Sequence, residues 1–317
     1  MTEPLRAYAR LLSFVVALAL LGAGPPERQT VRIGLLPNDD MISVLYAQQS
    51  GMFKAAGLDV LLDKSSPNGS AIAAAVASGS YDIGKASITP IFDAHLRGLP
   101  FTIIATGALY DSRKPYVGFL VAADSPIHSA KQLTGPNGVS FVHDLGQLAI
   151  YKAMDEAGLD YHATQFVELP MSASAAAVEG KRLMSAEVSY PPAQQALESG
   201  KLRFIPAYDE FGKQFIFSVW FTTTDYATKH ADIVKTFARV VANAARYTNS
   251  HPKETAPMLS AFNGVPEAMI LRMPRVTNGT SVYANGIQPL IDTEAKYGFI
   301  PRSFPATEII DPDIIAK

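Results

Sequence analysis

The chain has 317 residues, 48% of them hydrophobic and 18% charged, which suits one large or two small globular domains and excludes a disordered chain. A net charge of −2 provides no basic field to hold nucleic acid or an anionic membrane surface. With no cysteine anywhere, disulfides, thiolate chemistry and a lipid-attachment cysteine are excluded.

The first two dozen residues differ from the rest. Arg6 and Arg10 precede the apolar run LLSFVVALALLGAG, and Pro25 and Pro26 follow it. A basic start, a short apolar core and small residues form a secretory signal. The run from Leu11 to Ala23 is too short to cross about 30 Å of hydrocarbon. Residues 1–24 are therefore assigned to a signal peptide cleaved near Ala23 or Gly24, and the mature chain is expected in the periplasm as a monomer, not as a lipoprotein.

Beyond it, strand-like and helix-like patterns alternate, the mark of an α/β fold with mostly parallel sheets. VRIGLL (Val31 to Leu36) reads as a buried strand. MISVLYAQQSGMFKAAG reads as a helix broken near Gly51, and LDVLLD as the second strand. The SSPNGS loop caps an alanine-rich helix. A third strand follows Asp82 and ends in ASITP, residue types that start helices. FTIIATG and YVGFLVAA are strands; GVSFV is a strand ending at Val142, followed by a helix from Leu145 to Gly158. QFVELP, AEVSYPP, LRFIP and the long apolar QFIFSVWFTT (Gln214 to Thr223) complete the strands, and the tail reads as almost wholly helical. The layout implies two lobes, the second inserted in the first.

In open α/β sheets, ligands bind at the carboxyl ends of strands. The segments there are PNDD, SSPNGS, ASITP, HDLGQ, MSAS and SYPP. They share hydroxyls, amides and free backbone N–H groups at helix starts. The candidate ligand-binding residues are Asn38, Asp39, Ser66, Asn68, Ser87, Thr89, His143, Gln147, Ser172 and the aromatics Tyr110 and Tyr190. Phe141 and Trp220 are further aromatic candidates. Each hydroxyl has a competing use as the cap of its own helix. Asp39, Asp40 and Asp144 but no arginine stand in these loops, so a neutral or singly charged organic ligand is expected, aromatic or sulfonate-like.

The strings GMFKAAGLDV (Gly51 to Val60), ASGSYDIG (Ala77 to Gly84) and AHLRGLP (Ala94 to Pro100), followed by DSPIHSAKQLTG and YGFIPRSF, resemble the NMT1/SsuA-like solute-binding proteins of ABC importers. The resemblance implies a type II periplasmic-binding-protein clamshell: two α/β lobes joined by two crossover strands near 107–119 and 214–222, with a helical C-terminal tail. Residues 31–110 and 223–317 would form one lobe and 111–222 the other. It also implies a small-molecule ligand, an ABC permease in the inner membrane as partner and no cofactor. Relatives carry sulfonates, taurine, nitrate or pyrimidines. Met184 departs from the family pattern, standing where an aspartate is usual and removing a polar anchor near SYPP. Met41 stands where pyrimidine binders carry histidine, so pyrimidine specificity is not carried over.

The six histidines contain no i, i+4 pair for a metal on one helix face. His143 beside Asp144 is a possible base and orienter, but no G-x-S-x-G elbow accompanies it. A binding receptor, not an enzyme, is the leading reading. The rival is an enzyme of the same fold related to thiamine-pyrimidine synthases, whose cysteine-rich motif this chain lacks.

Overall fold

The computed structural model describes residues 29–314; the expected signal segment lies outside them. The first sheet is built from β1 (Gln29–Gly34), β2 (Leu58–Asp63), β3 (Ile83–Ser87), β4 (Phe101–Thr106) and, from far along the chain, β12 (Ser218–Thr223). Its order is β2-β1-β3-β12-β4. β1 runs parallel to both neighbours, whereas β12 is antiparallel to β3 and β4. The connections are α1 (Ile42–Gln49), α2 (Met52–Ala55), α3 (Gly69–Ala77) and α4 (Thr89–Leu96). Gly51, at φ 78°, separates α1 from α2 where the sequence anticipates a break, since a left-handed backbone favours glycine.

From β4 the chain passes through β5 (Ala108–Asp111) into β6 (Val117–Ala122) of the second sheet. There β7 (Pro136–Val139), α5 (Leu145–Glu156), β8 (Gln165–Glu168), α6 (Ser174–Glu179), β9 (Ser185–Ser189), α7 (Pro192–Glu198) and β10 (Leu202–Ile205) follow. The order β10-β6-β9-β7-β8 repeats the logic of the first sheet: β8, β7 and β9 are parallel and the strand arriving from the other lobe, β6, is inverted between β9 and β10. Each sheet is thus mostly parallel, with its crossover strand as the exception.

The apolar run 214–223 is two strands, not one. β11 (Gln214–Ile216) pairs with β5, and β12 enters the first sheet. The tail contains α8 (Thr224–Lys229), α9 (Ala231–Ser250), α10 (Ala256–Asn263), α11 (Glu267–Ile270) and α12 (Gln288–Lys296). It also supplies the two-residue β13 (Thr277–Asn278), which completes a small hinge sheet, β11-β5-β13. The reading of the tail as almost wholly helical does not include this strand, because two residues carry no period. α9 buries Phe237 against Phe53 and the fully buried Trp220, and its Tyr247 stacks on Tyr46 at 4.4 Å. Trp220 is therefore core, not a ligand wall.

The crossing from β4 to β5 turns on Gly107. Its N–H donates to the Ser218 carbonyl at 2.8 Å and its carbonyl accepts from the Gly279 N–H at 2.7 Å. A Cβ here would stand 2.6 Å from Ser218 Oγ and 2.9 Å from Lys85 Cε. Gly107→Ala is expected to destabilise the fold by about 1–3 kcal/mol through overpacking, read from the urea midpoint; an unchanged midpoint would mean that the junction yields freely.

Candidate functional site

The strand ends of the two sheets meet across a seam spanned by the hinge sheet. On the first-lobe side, the chain leaving β1 makes a single tight turn, Asp39–Met41, whose two acidic residues are buried. Asp39 accepts from Arg275 Nε at 2.9 Å and from the Val276 N–H at 2.8 Å. Asp40 pairs with the buried ammonium of Lys85 on β3 and accepts from Ser218 Oγ at 3.1 Å. Burial raises the Asp39 carboxyl and lowers the Lys85 ammonium, each opposed by its ion-pair partner. Pairing offsets the cost of burying these groups.

Two polar atoms in this region, Asp40 Oδ1 and the Tyr116 hydroxyl, are buried with no hydrogen-bond partner among the described residues. Burial, and then Asp40, push the Tyr116 phenol well above its ordinary value, so it remains a protonated donor. Both residues line a cavity of about 40 Å³ with Asn38, Asp39, Met171, Ser189, Tyr190 and Phe217, residues drawn from both lobes and the hinge. That volume admits about one water. An organic solute reaches these groups only if the lobes part.

On the second-lobe side β7 ends three residues earlier than the sequence pattern suggests. The Ser140 N–H donates to both Asp144 and Glu187 at 3.0 Å, and Ser140 Oγ donates to Glu187 at 2.5 Å. The backbone is thereby taken out of the ladder, and His143 adopts φ 68°. Asp144 caps α5 by accepting from the Gln147 N–H at 2.9 Å, and Tyr208 donates to Glu187. Burial, followed by the charge of Glu187, pushes the Asp144 carboxyl well above the usual range.

A second cavity on the seam has about 730 Å³ of space, within the range of small-molecule sites. Thr89, Pro90 and Asp93 of α4, Glu294 and Phe299 of the tail, and Phe141 to His143 of the second lobe line it. The His143 ring stacks on Phe299 at 4.7 Å. Thr89 Oγ1 and Glu294 Oε1 are buried without a partner among the described residues.

The predicted residues divide accordingly. Asn38, Asp39 and Tyr190 line the small cavity, and Thr89 and His143 the large one. Asn68 caps α3, its Oδ1 accepting from the Ala71 N–H at 2.9 Å. Gln147 is buried and accepts from the His143 N–H at 2.8 Å. Ser66 lies 3.4 Å from the Tyr81 hydroxyl, Ser87 closes β3 opposite Ser218, and Ser172 is exposed beside Met171. Tyr110 is fully buried, donates to Asp209 at 2.6 Å and stacks on Phe215, so it packs the hinge and lines neither cavity.

The strand-end loops themselves carry no arginine, but Arg275 comes from the tail to Asp39. Lys85, Tyr116, Glu187 and Glu294 were also missed; a charged or hydroxylated residue inside an apolar strand, as Lys85 and Glu187 are, was the available signal. Met184 leaves no polar gap. Its sulfur accepts from the Gly135 N–H at 3.3 Å, and Ser185 Oγ donates to Asn137 Oδ1 at 2.6 Å beside it.

This division makes opposite predictions for two polar residues. Asn68→Ala is expected to cost about 1 kcal/mol of stability and leave solute affinity unchanged. Thr89→Val is expected to hold or raise the melting temperature, because it removes an unpaired buried hydroxyl, and to weaken solute binding. Thermal melts with calorimetric titration of whatever solute co-purifies check both; a destabilised Thr89→Val with unchanged affinity would make Thr89 structural.

Among solved structures, the chain is similar to the periplasmic aliphatic sulphonate binding protein SsuA from Escherichia coli, with 19% identity, a TM-score of 0.72 and coverage of 90% of this chain and 98% of that one. It is similar to the periplasmic nitrate-binding protein NrtA from Synechocystis PCC 6803, with 16% identity, a TM-score of 0.74 and coverage of 90% and 86%. The desulfurization enzyme DSZB is also similar, at 15% identity, a TM-score of 0.62 and coverage of 90% and 97%. At these identities the likeness establishes the periplasmic-binding-protein fold. No curated protein is significantly similar to the chain. The family model described as NMT1/THI5 like matches residues 38–255, most of the described chain, and the protein belongs to the NMT1/THI5-like family.

Proposed function

We propose that the protein is an extracytoplasmic solute-binding receptor of an ABC importer, which encloses a small organic molecule between its lobes and delivers it to an inner-membrane permease. One observation carries the reading. Polar strand ends from two sheets face one seam, spanned by hinge strands, and buried polar atoms without a partner among the described residues (Asp40 Oδ1, Thr89 Oγ1 and the Tyr116 hydroxyl) lie there. A solute touching both lobes stabilises only the closed arrangement and shifts the equilibrium toward it by its differential affinity. The similar folds of a sulphonate-binding and a nitrate-binding periplasmic protein support this reading, which includes export by residues 1–24, a periplasmic monomer, and a site that needs no cofactor.

The pairing of Lys85 with Asp40 and of Arg275 with Asp39 favours a neutral or cationic solute, aromatic in its body, over a sulfonate, since each of these two cations is already compensated. DSZB shows that the fold also hosts an enzyme. Here the carboxyl oxygens of Asp144 face backbone N–H groups and the His143 ring stacks on Phe299, so the pair is not arranged as a base and its orienter. Native mass spectrometry of the protein purified from its host, combined with small-angle scattering before and after solute removal, tests the proposal. A co-purifying compound recovered unchanged, with a smaller radius of gyration in its presence, is expected; a chemically altered compound would establish an enzyme instead.

A further inference from the structure

Glu294 has no part in the fold that a hydrophobic residue would not serve better. It lies on the buried face of α12 with Leu290 and Ile291, is 2% exposed, and its Oε1 has no partner among the described residues. Yet it lines the 730 Å³ cavity, whose other walls are mainly apolar and aromatic: Ala73, Phe101, Phe141, Phe299 and Ile300. Asp93 and Arg97, also lining, are paired with each other at 2.9 Å and stand at the solvent side. Thr89 adds an unpaired hydroxyl to the same cavity. With Arg97 held by Asp93 and the His143 ring stacked on Phe299, the buried acid of Glu294 has no partner of opposite charge among the described residues.

We propose that Glu294 is the specificity-determining residue of this cavity and receives an N–H-bearing end of the solute, a protonated amine or an amidinium, while the apolar walls take its hydrocarbon or aromatic body. This rests on the receptor reading above and names the solute class of that receptor. A carboxyl group can accept two N–H bonds from one amidinium, a bidentate match a sulfonate cannot offer. A sulfonate would instead offer only acceptors to a site whose lining guanidinium, Arg97, is already held by Asp93. Removal of a buried acid's partner is costly, so the cavity should reject size-matched compounds that lack the donor.

The test is calorimetric titration of the full-length purified protein, stripped of solute, with benzamidine, benzylamine and benzenesulfonate. Benzamidine or benzylamine should bind and benzenesulfonate should not, and Glu294→Gln should weaken the binding by about tenfold or more, as loss of a charge-assisted hydrogen bond requires. Should Glu294→Gln fail to fold, Glu294→Asp withdraws the carboxyl by one methylene and should weaken binding in the same direction. Binding of benzenesulfonate alone, binding of none of the three, or equal amine affinity in both proteins would overturn the proposal. In each of those cases compaction by the co-purifying solute would still show the receptor reading intact, and its absence would show that reading to fail separately.

Discussion

Replacing Lys85 by methionine is expected to destabilise the protein by about 3–5 kcal/mol, because it strands a buried carboxylate. Lys85 is 4% exposed on a strand buried on both faces and holds Asp40, itself 5% exposed. Among the described residues the Asp40 side chain has one other hydrogen-bond partner, Ser218 Oγ. Burial of the ammonium alone lowers its affinity for protons, and Asp40 opposes that shift. Removing either partner leaves the other without compensation, so Asp40→Asn should also destabilise. The double variant Lys85→Met with Asp40→Asn should recover most of the loss, as ion pairs replaced whole are close to neutral. Urea denaturation of the four proteins supplies the cycle. If Lys85→Met costs no more than the double variant, the pair is not an ion pair and the electrostatic balance assigned to the seam is wrong.

Lys85 also shows where sequence reading stops. The apolar run after Asp82 announces a strand, and the hydroxyls of Ser87 and Thr89 announce its end, so β3 and the start of α4 are legible locally. What neutralises Lys85 is Asp40, 45 residues away, and no local pattern states that contact. The same holds for Asp39 and Arg275, 236 residues apart. The two-lobe plan was readable because it rests on strand and helix periods, whereas β13 and the split between β11 and β12 rest on pairing with β5. Val142 looked like a strand residue by composition; a competing acceptor pair, Asp144 and Glu187, takes the Ser140 N–H and ends β7 early. Asn68 and Ser66 carried the right chemistry for a ligand wall, yet the cap made by Asn68 is a use that sequence alone cannot separate from recognition. Glu294 was unreadable for a further reason: on an otherwise ordinary amphipathic helix, only the fold reveals that it lies on the buried face.

Glu294→Gln is expected to stabilise the solute-free protein at pH 7 by about 1–3 kcal/mol, because the carboxyl must hold a proton to stay in its apolar site and the amide need not, which for a chain of this size raises the melting temperature by roughly 2 °C per kcal/mol. Burial, and then the neighbouring charge of Asp93, push the Glu294 carboxyl well above its ordinary 4.5. The folded protein therefore binds this proton more tightly than the unfolded chain does. Stability contributed by the protonated form is complete below pH 4.5 and falls as pH rises toward the folded-state value, at up to about 1.4 kcal/mol per pH unit. Asp144 and Asp39 are raised as well, so the wild type alone cannot assign the slope. The difference between wild type and Glu294→Gln can, because the other groups are common to both. The gain from the substitution should be small near pH 4 and grow through neutral pH, while amine or amidine affinity falls. Such opposite movement is what a residue kept for recognition at the expense of stability produces. A Glu294→Gln protein that is less stable than wild type at every pH would instead give Glu294 a stabilising partner, and its unpaired oxygen would no longer point to a solute.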